Sequence, residues 1–231
     1  MPGSLSAAGQ RREVSLEPAS VFDEGSAVLT PSDFAVLFVT AQTGSRPAGV
    51  RLLQYRDKTA SARDLLATSR ELVSSLNSYG ASLVVNDRPD IGVLSGAAGV
   101  HVGQEDLEPE QARAVVGNEM WIGTSTHNLE QFRRAAATSA DYIAVGPIFP
   151  TTSKSNPDPV VGLELIRQVR NLTEKPIVAI GGITLERAAS VIEAGADCVA
   201  VIRDIVCAPK PGERARRFLD ALGAANHAAA I

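Results

Sequence analysis

Cysteine is scarce in this sequence, and long hydrophobic runs are missing. Only Cys198 and Cys207 occur among the 231 residues. They lack the paired spacing and neighbouring histidines of a zinc site, so we interpret both as reduced thiols. No apolar stretch approaches the ~18 residues that cross a bilayer, and the residues after Met1 do not combine a basic start, an apolar run and a cleavage site. These absences predict a cytoplasmic protein that has no membrane partner.

Positive charge is also not in excess. Lysine and arginine total 22 against 26 acidic residues, which gives a formal net charge of -4. The chain therefore lacks the basic surface with which proteins bind nucleic acids or anionic membranes. An anionic small molecule must then be held by a local pocket. The hydrophobic content of 45% with only 4% aromatic residues is typical of a folded α/β enzyme rich in small aliphatic side chains.

Short apolar runs alternate with amphipathic segments from about residue 50 onward, which is the pattern of βα units in a parallel sheet. Seven runs rich in valine and isoleucine predict strands that are covered on both faces: Val50–Tyr55, Ser82–Asn86, Gly99–Val102, Met120–Gly123, Tyr142–Val145, Pro176–Ile180 and Cys198–Ile202. Helical spacing of apolar residues predicts helices among and after them: Ala60–Tyr79, Leu129–Ala137, Leu163–Asn171, Leu185–Ala194 and Gly212–Ala221. Capping residues support two of these helices, with Asn128 before one and Thr184 before another.

The repeated βα unit favours a barrel. Polar residues concentrate after the strands, as they do at the mouth of a TIM barrel. An open doubly wound sheet would more often carry a Gly-rich turn after its first strand, and this sequence has none. We therefore predict an α/β fold of the (β/α)8 TIM type over residues 34–225, as one domain. Residues 1–33 show no hydrophobic period and are predicted to be a disordered tail.

The first βα unit is incomplete in this prediction. Ala35–Thr40 has the composition of a strand, but only about ten residues separate it from the strand at Val50, and they include Gly44 and Pro47. A parallel return normally needs a dozen or more residues, usually helical, so the first crossover helix is missing. Either the start of the chain is not the natural one or this is a damaged copy of a barrel.

A basic cluster follows the first long strand. Gln54, Arg56 and Lys58 alternate along the chain at the C-terminal end of this strand, so their side chains point to the same side. In a barrel that end faces the active site. Taken alone, the cluster is as consistent with a surface ion pair around Asp57 as with a binding site.

Two carboxylates follow the next two strands. Asp87 comes directly after Ser82–Asn86, and Asp106 lies a few residues beyond Gly99–Val102. Asp87 alone is more typical of a helix N-cap, because Pro89 suits the first turn of a helix. Two carboxylates on neighbouring loops that face a basic cluster, however, are what a magnesium ion shared with a diphosphate requires. The pair therefore predicts a Mg²⁺ site.

Hydroxyl groups and glycines follow the remaining strands. Thr124–Thr126 ends one strand, and a long loop after the next contains the segment Thr151–Lys154. Such a loop can bind phosphate oxygens through hydroxyls, backbone N–H groups and an ammonium charge. Gly182, Ile202 and Arg203 follow the final two strands, which is the usual phosphate position in barrels of this type.

Together these segments resemble the thiamine phosphate synthase family. The matching blocks occur in the family's order over roughly residues 50–206: Gln54-Tyr55-Arg56-Asp57-Lys58, Asn86-Asp87-Arg88, Gly99-Val100-His101-Val102-Gly103-Gln104-Glu105-Asp106, Gly123-Thr124-Ser125-Thr126-His127, Gly146-Pro147-Ile148-Phe149-Pro150-Thr151, Lys154 and Ala179-Ile180-Gly181-Gly182-Ile183. The resemblance implies a transferase that joins a pyrimidine diphosphate to a thiazole phosphate, or to its carboxylated form. The resemblance further implies that diphosphate leaves first, in a dissociative and metal-assisted substitution that needs no protein nucleophile.

The resemblance also implies roles for individual residues. It implies that Asp87 and Asp106 bind magnesium, and that Arg56, Lys58 and Lys154 stabilise the charge of the leaving group. It implies that the pyrimidine diphosphate is contacted by Gln54, Tyr55, Arg56, Asp57, Lys58, Asn86, Ser125 and Lys154. It implies that the thiazole phosphate is contacted by Thr151, Thr152, Ser153, Gly182, Ile202 and Arg203.

Two other functions compete with this one. A thiazole tautomerase of the same scaffold would shift a proton and would need neither the metal nor three cations for diphosphate. A non-catalytic remnant that binds a phosphate ligand would result if the missing crossover prevented barrel closure. The sequence also departs from the family at Arg203, where the family usually has a small hydroxyl residue. The phosphate contact there either becomes ionic or is lost because the arginine points away.

Overall fold

The computed structural model describes residues 34–40, 49–151 and 158–229, with side chains described for 52–151 and 158–223. Its strands are β1 (Phe34–Thr40), β2 (Gly49–Arg56), β3 (Ser82–Asn86), β4 (Gly99–Val102), β5 (Trp121–Thr126), β6 (Tyr142–Val145), β7 (Ile177–Ile180) and β8 (Cys198–Val201). Its helices are α1 (Ala62–Ser78), α2 (Pro89–Ser95), α3 (Pro109–Val116), α4 (Leu129–Ala136), α5 (Gly162–Arg170), α6 (Leu185–Glu193), α7 (Arg203–Val206) and α8 (Pro211–Ala229).

The eight strands close into a barrel in their sequence order. Strands β2 to β8 pair in parallel, each with the next, and a helix connects each pair, as the alternation of apolar runs predicted. The fold prediction of a TIM-type barrel with an incomplete first unit is confirmed. Parallel strands place all their C-terminal ends at one mouth, where barrel enzymes hold their active sites.

The first strand closes the barrel without a crossover helix. β1 runs antiparallel to both of its neighbours, with Phe34 opposite Arg56 on β2 and Leu37 opposite Val201 on β8. An antiparallel pair needs only a short connection, whereas a parallel pair needs a crossover. The short distance to β2 that argued against a parallel return is therefore compatible with closure. The connection itself, residues 41–48, lies outside the described residues, as does the predicted tail, residues 1–33.

Alternate residues of the strands face either the surrounding helices or the barrel interior. Leu53, Val85 and Val145 belong to the cluster that packs the strands against the helices. Tyr142 and Ala144 belong to a smaller cluster, in which the other members come from β7 and β8. Because side chains alternate along a strand, Gln54 lies on the opposite face of the sheet from Leu53 and points into the barrel. The same parity places Asn86, His101 and Ser125, on β3, β4 and β5, on the interior face.

Helix ends agree only in part with the predicted caps. The Asn128 side chain accepts a hydrogen bond from the backbone N–H of Gln131 at 2.9 Å, as an N-cap should. Thr184 occupies the N-cap position of α6 but makes no side-chain capping bond. Instead, Asp204 accepts from the Leu185 N–H at 2.9 Å, so a residue of α7 caps α6. No helix in the described part of the chain is both long and apolar enough to cross a membrane.

Candidate functional site

The first two parallel strands bring a lysine and an aspartate together. Lys58 follows β2 and Asp87 follows β3, and their Nζ and Oδ2 atoms lie 3.4 Å apart. The lysine side chain is 58% exposed and the aspartate side chain 22% exposed. The ammonium group therefore reaches from solvent to a carboxylate that lies deeper in the mouth, and it remains accessible to a ligand.

Asp87 also faces Asp106, which follows the next strand, β4. The pKa of Asp87 is raised by burial first and then by its hydrogen bond and charge repulsion with Asp106, while Lys58 lowers it. One Asp106 oxygen accepts the Gly103 N–H at 2.7 Å, which fixes the loop that carries it. The two carboxylates were predicted to converge, and the structure brings them together. Among the described residues they are not part of any cluster of three or more His, Cys, Asp or Glu side chains.

The capping alternative for Asp87 is not what the structure shows. The N-cap of α2 is Arg88, which makes no side-chain capping bond and pairs with Asp90 instead. Asp87 has a φ of 61°, in the left-handed region that aspartate and asparagine tolerate better than most residues. Its backbone N–H donates to the His101 carbonyl at 2.8 Å. This conformation at the strand end turns the side chain to the neighbouring loop.

The remaining residues of the basic segment occupy different environments. Gln54 is buried on the interior face, and Arg56 is half-buried at the end of β2. The Tyr55 side chain packs in the core between strands and helices. One Asp57 oxygen accepts from the backbone and hydroxyl of Thr59, both at 2.8 Å, and these bonds lower its pKa. Asp57 thus shapes the turn into α1, and its predicted contact with substrate stays a prediction.

Strand β5 is longer than predicted and carries Ser125. It was predicted to end at Gly123 but continues to Thr126, which pairs with Val145, and the Thr126 hydroxyl donates to the Ala144 carbonyl at 2.9 Å. Ser125 therefore lies on a rigid strand and not on a loop. Its hydroxyl is 2.8 Å from His101 Nε2. Asn86, at the end of β3, lies opposite His101 in the β3–β4 pair, so both polar residues share one level of the barrel.

The loops after β6 and β7 are packed tightly against each other. The Ile148 and Phe149 N–H groups donate to the carbonyls of Ile180 and Gly181 at 2.9 and 3.1 Å. A side chain at Gly182, whose φ is +65°, would come within 2.4 Å of the Pro150 carbonyl oxygen. Only glycine fits this close approach. Gly182 and the residues before Thr151 therefore form one surface, as the predicted thiazole phosphate site requires.

The last part of the predicted site lies after β8. Ile180 of β7 pairs with Ala200 of β8, so Gly182 and Ile202 each lie two positions beyond paired residues. Arg203 is exposed at the start of α7. It lines a surface depression of about 440 Å³ together with Lys210 and Arg217, among others. Whether this arginine contacts the thiazole phosphate stays a prediction. Thr152, Ser153 and Lys154 lie outside the described residues.

Two residues near the site were not predicted. Arg187 on α6 donates to the Gly182 carbonyl at 3.3 Å and lies over the Phe149 ring, 4.7 Å from its centroid. It therefore holds the β6 and β7 loops from outside. Tyr142 places its hydroxyl 2.9 Å from His101 Nδ1. The one sequence signal for Tyr142 is the glycine at position 123, whose meaning depends on knowing that β5 and β6 are neighbours.

His127 has a structural role in the described residues. Its Nδ1 bonds to the Gly146 carbonyl, and its Nε2 lies 3.4 Å from an oxygen of Asp158. The ring therefore ties the end of β6 to the far side of the loop that follows.

The fold and the charged cluster together define a class. A closed barrel whose parallel strand ends carry two interacting carboxylates, a lysine and a buried serine is a (β/α)-barrel enzyme with its active site at the mouth.

Comparison with known proteins gives the family. The model of the thiamine monophosphate synthase family matches residues 28–205. The thiamine-phosphate synthase of Koribacter versatilis is 57% identical over 174 residues, which are 75% of this chain and 81% of that protein. That of Methanospirillum hungatei is 40% identical over 176 residues, or 76% of this chain and 85% of that protein. The solved thiamine phosphate pyrophosphorylase of Pyrococcus furiosus aligns with a TM-score of 0.70 at 30% identity, covering 77% of this chain and 85% of that one.

This chain belongs to the thiamine monophosphate synthase family. It is accordingly an enzyme of thiamine biosynthesis, of the transferase class. The matched region covers β1 to the middle of α7, so it includes every strand of the barrel.

Proposed function

We propose that this chain joins a pyrimidine diphosphate to a thiazole phosphate, or to its carboxylated form, and releases thiamine phosphate and diphosphate. The observation that carries the proposal is the Asp87–Asp106 pair beside Lys58 at the barrel mouth. Two hard carboxylates next to a cation suit a diphosphate that arrives with a divalent metal.

The residues present fit a magnesium ion. Two carboxylates that repel each other, and of which one has a raised pKa through burial and through the other, lack the positive charge that a cation would bring. Asp87 and Asp106 would hold the ion through oxygen atoms, as magnesium prefers. When bound, magnesium would supply positive charge to the oxygens of the departing diphosphate.

The chain's own cations are proposed to act on the same charge. As the bond between the pyrimidinylmethyl carbon and the diphosphate oxygen breaks, its electron pair leaves with the oxygen. Arg56 and Lys58 at the end of β2, with Lys154, neutralise that growing negative charge. Fixed charges in a partly water-excluded site need little rearrangement when the charge develops, so they lower the barrier.

The second half of the reaction needs positioning only. The thiazole nitrogen donates its lone pair to the pyrimidinylmethyl cation, which forms the new carbon–nitrogen bond. The thiazole phosphate is proposed to lie on Thr151–Ser153, Gly182, Ile202 and Arg203. The close packing of Gly182 against Pro150 supports this placement, because it fixes the backbone groups on which a phosphate would rest.

The competing functions fit these residues less well. A tautomerase gains nothing from a second carboxylate that disfavours the ionised form of Asp87 beside Lys58. A remnant unable to close its barrel is disfavoured by the antiparallel β1, which pairs with both β2 and β8. A cytoplasmic location and small-molecule substrates complete the proposal. In the described part of the chain neither Cys198 nor Cys207 is in a disulfide, which agrees with a reducing compartment.

The test is a reaction with the purified full chain. The protein is mixed with both substrates and Mg²⁺, and thiamine phosphate and diphosphate are quantified in the same sample. We expect the two products in equal amounts. Thiazole isomerisation without diphosphate release would favour the tautomerase. A protein that melts cooperatively and binds thiazole phosphate but forms no product would favour the remnant.

A further inference from the structure

Three residues on neighbouring strands form a row across the barrel interior. His101 on β4 is the partner of Gly123 on β5, and Gly123 is the partner of Tyr142 on β6. His101 and Tyr142 are therefore two strands apart. Side chains two strands apart normally have a third side chain between them, because paired residues on one sheet face point the same way.

Glycine at position 123 allows the outer two residues to meet. A Cβ atom at Gly123 would lie 2.0 Å from Cζ of Tyr142 and 2.3 Å from its hydroxyl oxygen. The phenol ring thus occupies the volume that any other residue at position 123 would fill. Crossing over β5, the Tyr142 ring approaches the imidazole of His101 with a centroid separation of 5.6 Å, and its hydroxyl lies 2.9 Å from Nδ1.

The other imidazole nitrogen faces the site. Nε2 of His101 is 2.8 Å from the hydroxyl oxygen of Ser125. Tyr142, His101 and Ser125 are 7%, 5% and 9% exposed, so the hydrogen bonds among them are largely shielded from water. Burial raises the pKa of the Tyr142 phenol, which keeps its proton available as a hydrogen-bond donor.

The direction of these bonds determines what Ser125 offers to a ligand. A serine hydroxyl has one proton. If Nε2 of His101 accepts that proton, Ser125 presents only lone pairs, which an anionic diphosphate repels. If Nε2 carries the imidazole proton and donates it to Ser125, the serine proton is free for a phosphate oxygen. The second arrangement requires the Tyr142 hydroxyl to donate to Nδ1.

We propose that Tyr142 and His101 are positioning residues that hold the Ser125 hydroxyl as a hydrogen-bond donor to the diphosphate. The relay runs from the phenol O–H to Nδ1, then from Nε2–H to Ser125, then from Ser125 to the ligand. No proton changes hands: the neutral imidazole is held in one tautomer. Gly123 belongs to the relay because it leaves the path of the Tyr142 ring open.

This inference rests on the proposed placement of diphosphate at Ser125. Tyr142→Phe removes only the first donor and keeps the ring that fills the space over Gly123. Without the phenol hydroxyl, no group donates a hydrogen bond from position 142 to Nδ1, so both tautomers of the His101 imidazole become accessible. The Ser125 hydroxyl is then no longer held as a donor to the diphosphate. We expect kcat to fall about tenfold, the size of one lost net hydrogen bond, with KM for the thiazole phosphate unchanged.

A double-mutant cycle separates the relay from a structural role. In a Ser125→Ala background, Tyr142→Phe should change kcat by less than about twofold, because the group it positions is gone. A similar loss in both backgrounds would show that the phenol only supports the barrel and would overturn the proposal. So would no loss in either. Tyr79→Phe, which removes a phenol hydroxyl at the end of α1, is the matched control and should leave kcat unchanged.

A second measurement holds even if Tyr142→Phe fails to fold. The chain has three histidines, so the ¹⁵N spectrum of His101 can be assigned by comparison with His101→Gln. With Mg²⁺ and inorganic diphosphate bound to the wild-type chain, we expect His101 protonated on Nε2. Protonation on Nδ1 would overturn the relay. A wild-type chain that yields no thiamine phosphate would instead count against the proposed function, and the tautomer would still decide the relay.

Discussion

The carboxyl groups of Asp87 and Asp106 interact directly although they follow different strands. Burial and the interaction with Asp106 together raise the pKa of Asp87 more than Lys58 lowers it. An arrangement that favours the neutral form of an acid costs stability whenever the acid is ionised. The barrel mouth therefore carries a local electrostatic cost, as expected where binding and not folding determines the residues.

The first prediction concerns this cost. Asp87→Asn should raise the melting temperature of the metal-free protein at pH 7, because asparagine carries no charge and also tolerates the φ of 61°. Since the folded pKa of Asp87 lies above its ordinary 3.8, its favourable contribution is present below that pH and is lost as pH rises. The difference between variant and wild type should thus shrink towards pH 3.

Asp90→Asn is the matched control for Asp87→Asn. Asp90 lies three positions further on, and its bonds to Arg88 lower its pKa. The same substitution there should lower the melting temperature slightly or leave it unchanged, since exposed pairs contribute ~1 kcal/mol or less. If the two variants change the melting temperature by the same amount, repulsion between Asp87 and Asp106 contributes little to the stability of the protein. Because Asp87 is also a proposed magnesium ligand, Asp87→Asn should abolish product formation.

The second prediction is that activity requires a divalent metal held by Asp106. EDTA should abolish product formation, and Mg²⁺ should restore it in the wild type. Asp106→Ala should lose activity, and Mg²⁺ should no longer raise its melting temperature, because ligand binding to the folded state is what raises it. An Asp106→Ala variant with full activity and normal metal dependence would show that the metal lies elsewhere.

The strands were predictable because their sequence signal is local. Runs of valine and isoleucine mark β2 to β8, and the observed bounds differ from the predicted ones by three residues at most. No bounds were predicted for α2, α3 or α7, although Pro89 was expected to suit the first turn of a helix and α2 begins there. They have seven, eight and four residues, which is too short for a helical period to stand out. β1 was recognised as a strand, but its antiparallel direction depends on pairing with β8, far away in sequence.

The site residues that follow strands were predictable, as the strands themselves were, from local sequence. Asp87, Asp106 and Lys58 were expected at the mouth because each directly follows a strand or lies in the loop beyond it, and parallel strand ends share one edge. The contact of Tyr142 with His101, 41 positions apart, has no local signature. It exists because Gly123 lies between them on the middle strand, and a glycine in a strand can equally mark a bulge or a tight bend.

The third prediction tests the role of β1 in closure. Removing residues 1–33 should leave the melting temperature and activity nearly unchanged. Removing residues 1–40 should cause aggregation or a large loss of stability, because the edges of β2 and β8 would lose their partner. Size-exclusion chromatography and thermal melting of both truncations provide the comparison. Equal behaviour of the two would mean that seven parallel strands suffice.

The fourth prediction is that Lys154 acts mainly on the chemical step. Its charge is proposed to neutralise diphosphate as it departs, an interaction that strengthens in the transition state. Lys154→Ala should lower the single-turnover rate on the order of a hundredfold or more, with the melting temperature preserved. Lys175→Ala is the control, because Lys175 follows α5 in the sequence whereas this loop precedes it. An unchanged rate, or a loss confined to substrate affinity, would remove Lys154 from the mechanism.

The last prediction concerns Arg203, which stands where the family usually has a small hydroxyl residue. If its guanidinium binds the thiazole phosphate, Arg203→Ser should weaken the apparent affinity for that substrate more than the affinity for the pyrimidine diphosphate. Arg217 lines the same surface depression from α8 but does not follow a strand. Arg217→Ser therefore removes the same charge from the same surface without touching the proposed phosphate site.

The two arginine variants should differ if the contact is specific. Arg203→Ser alone should raise KM for the thiazole phosphate, and added salt should reduce the difference from wild type, because a partly exposed ionic contact is screened. Equal effects of the two variants would indicate a general field of positive charge around α7 and α8. No effect of Arg203→Ser would mean that this arginine points away from the substrate, and that backbone groups at Gly182 and Ile202 bind the phosphate without it.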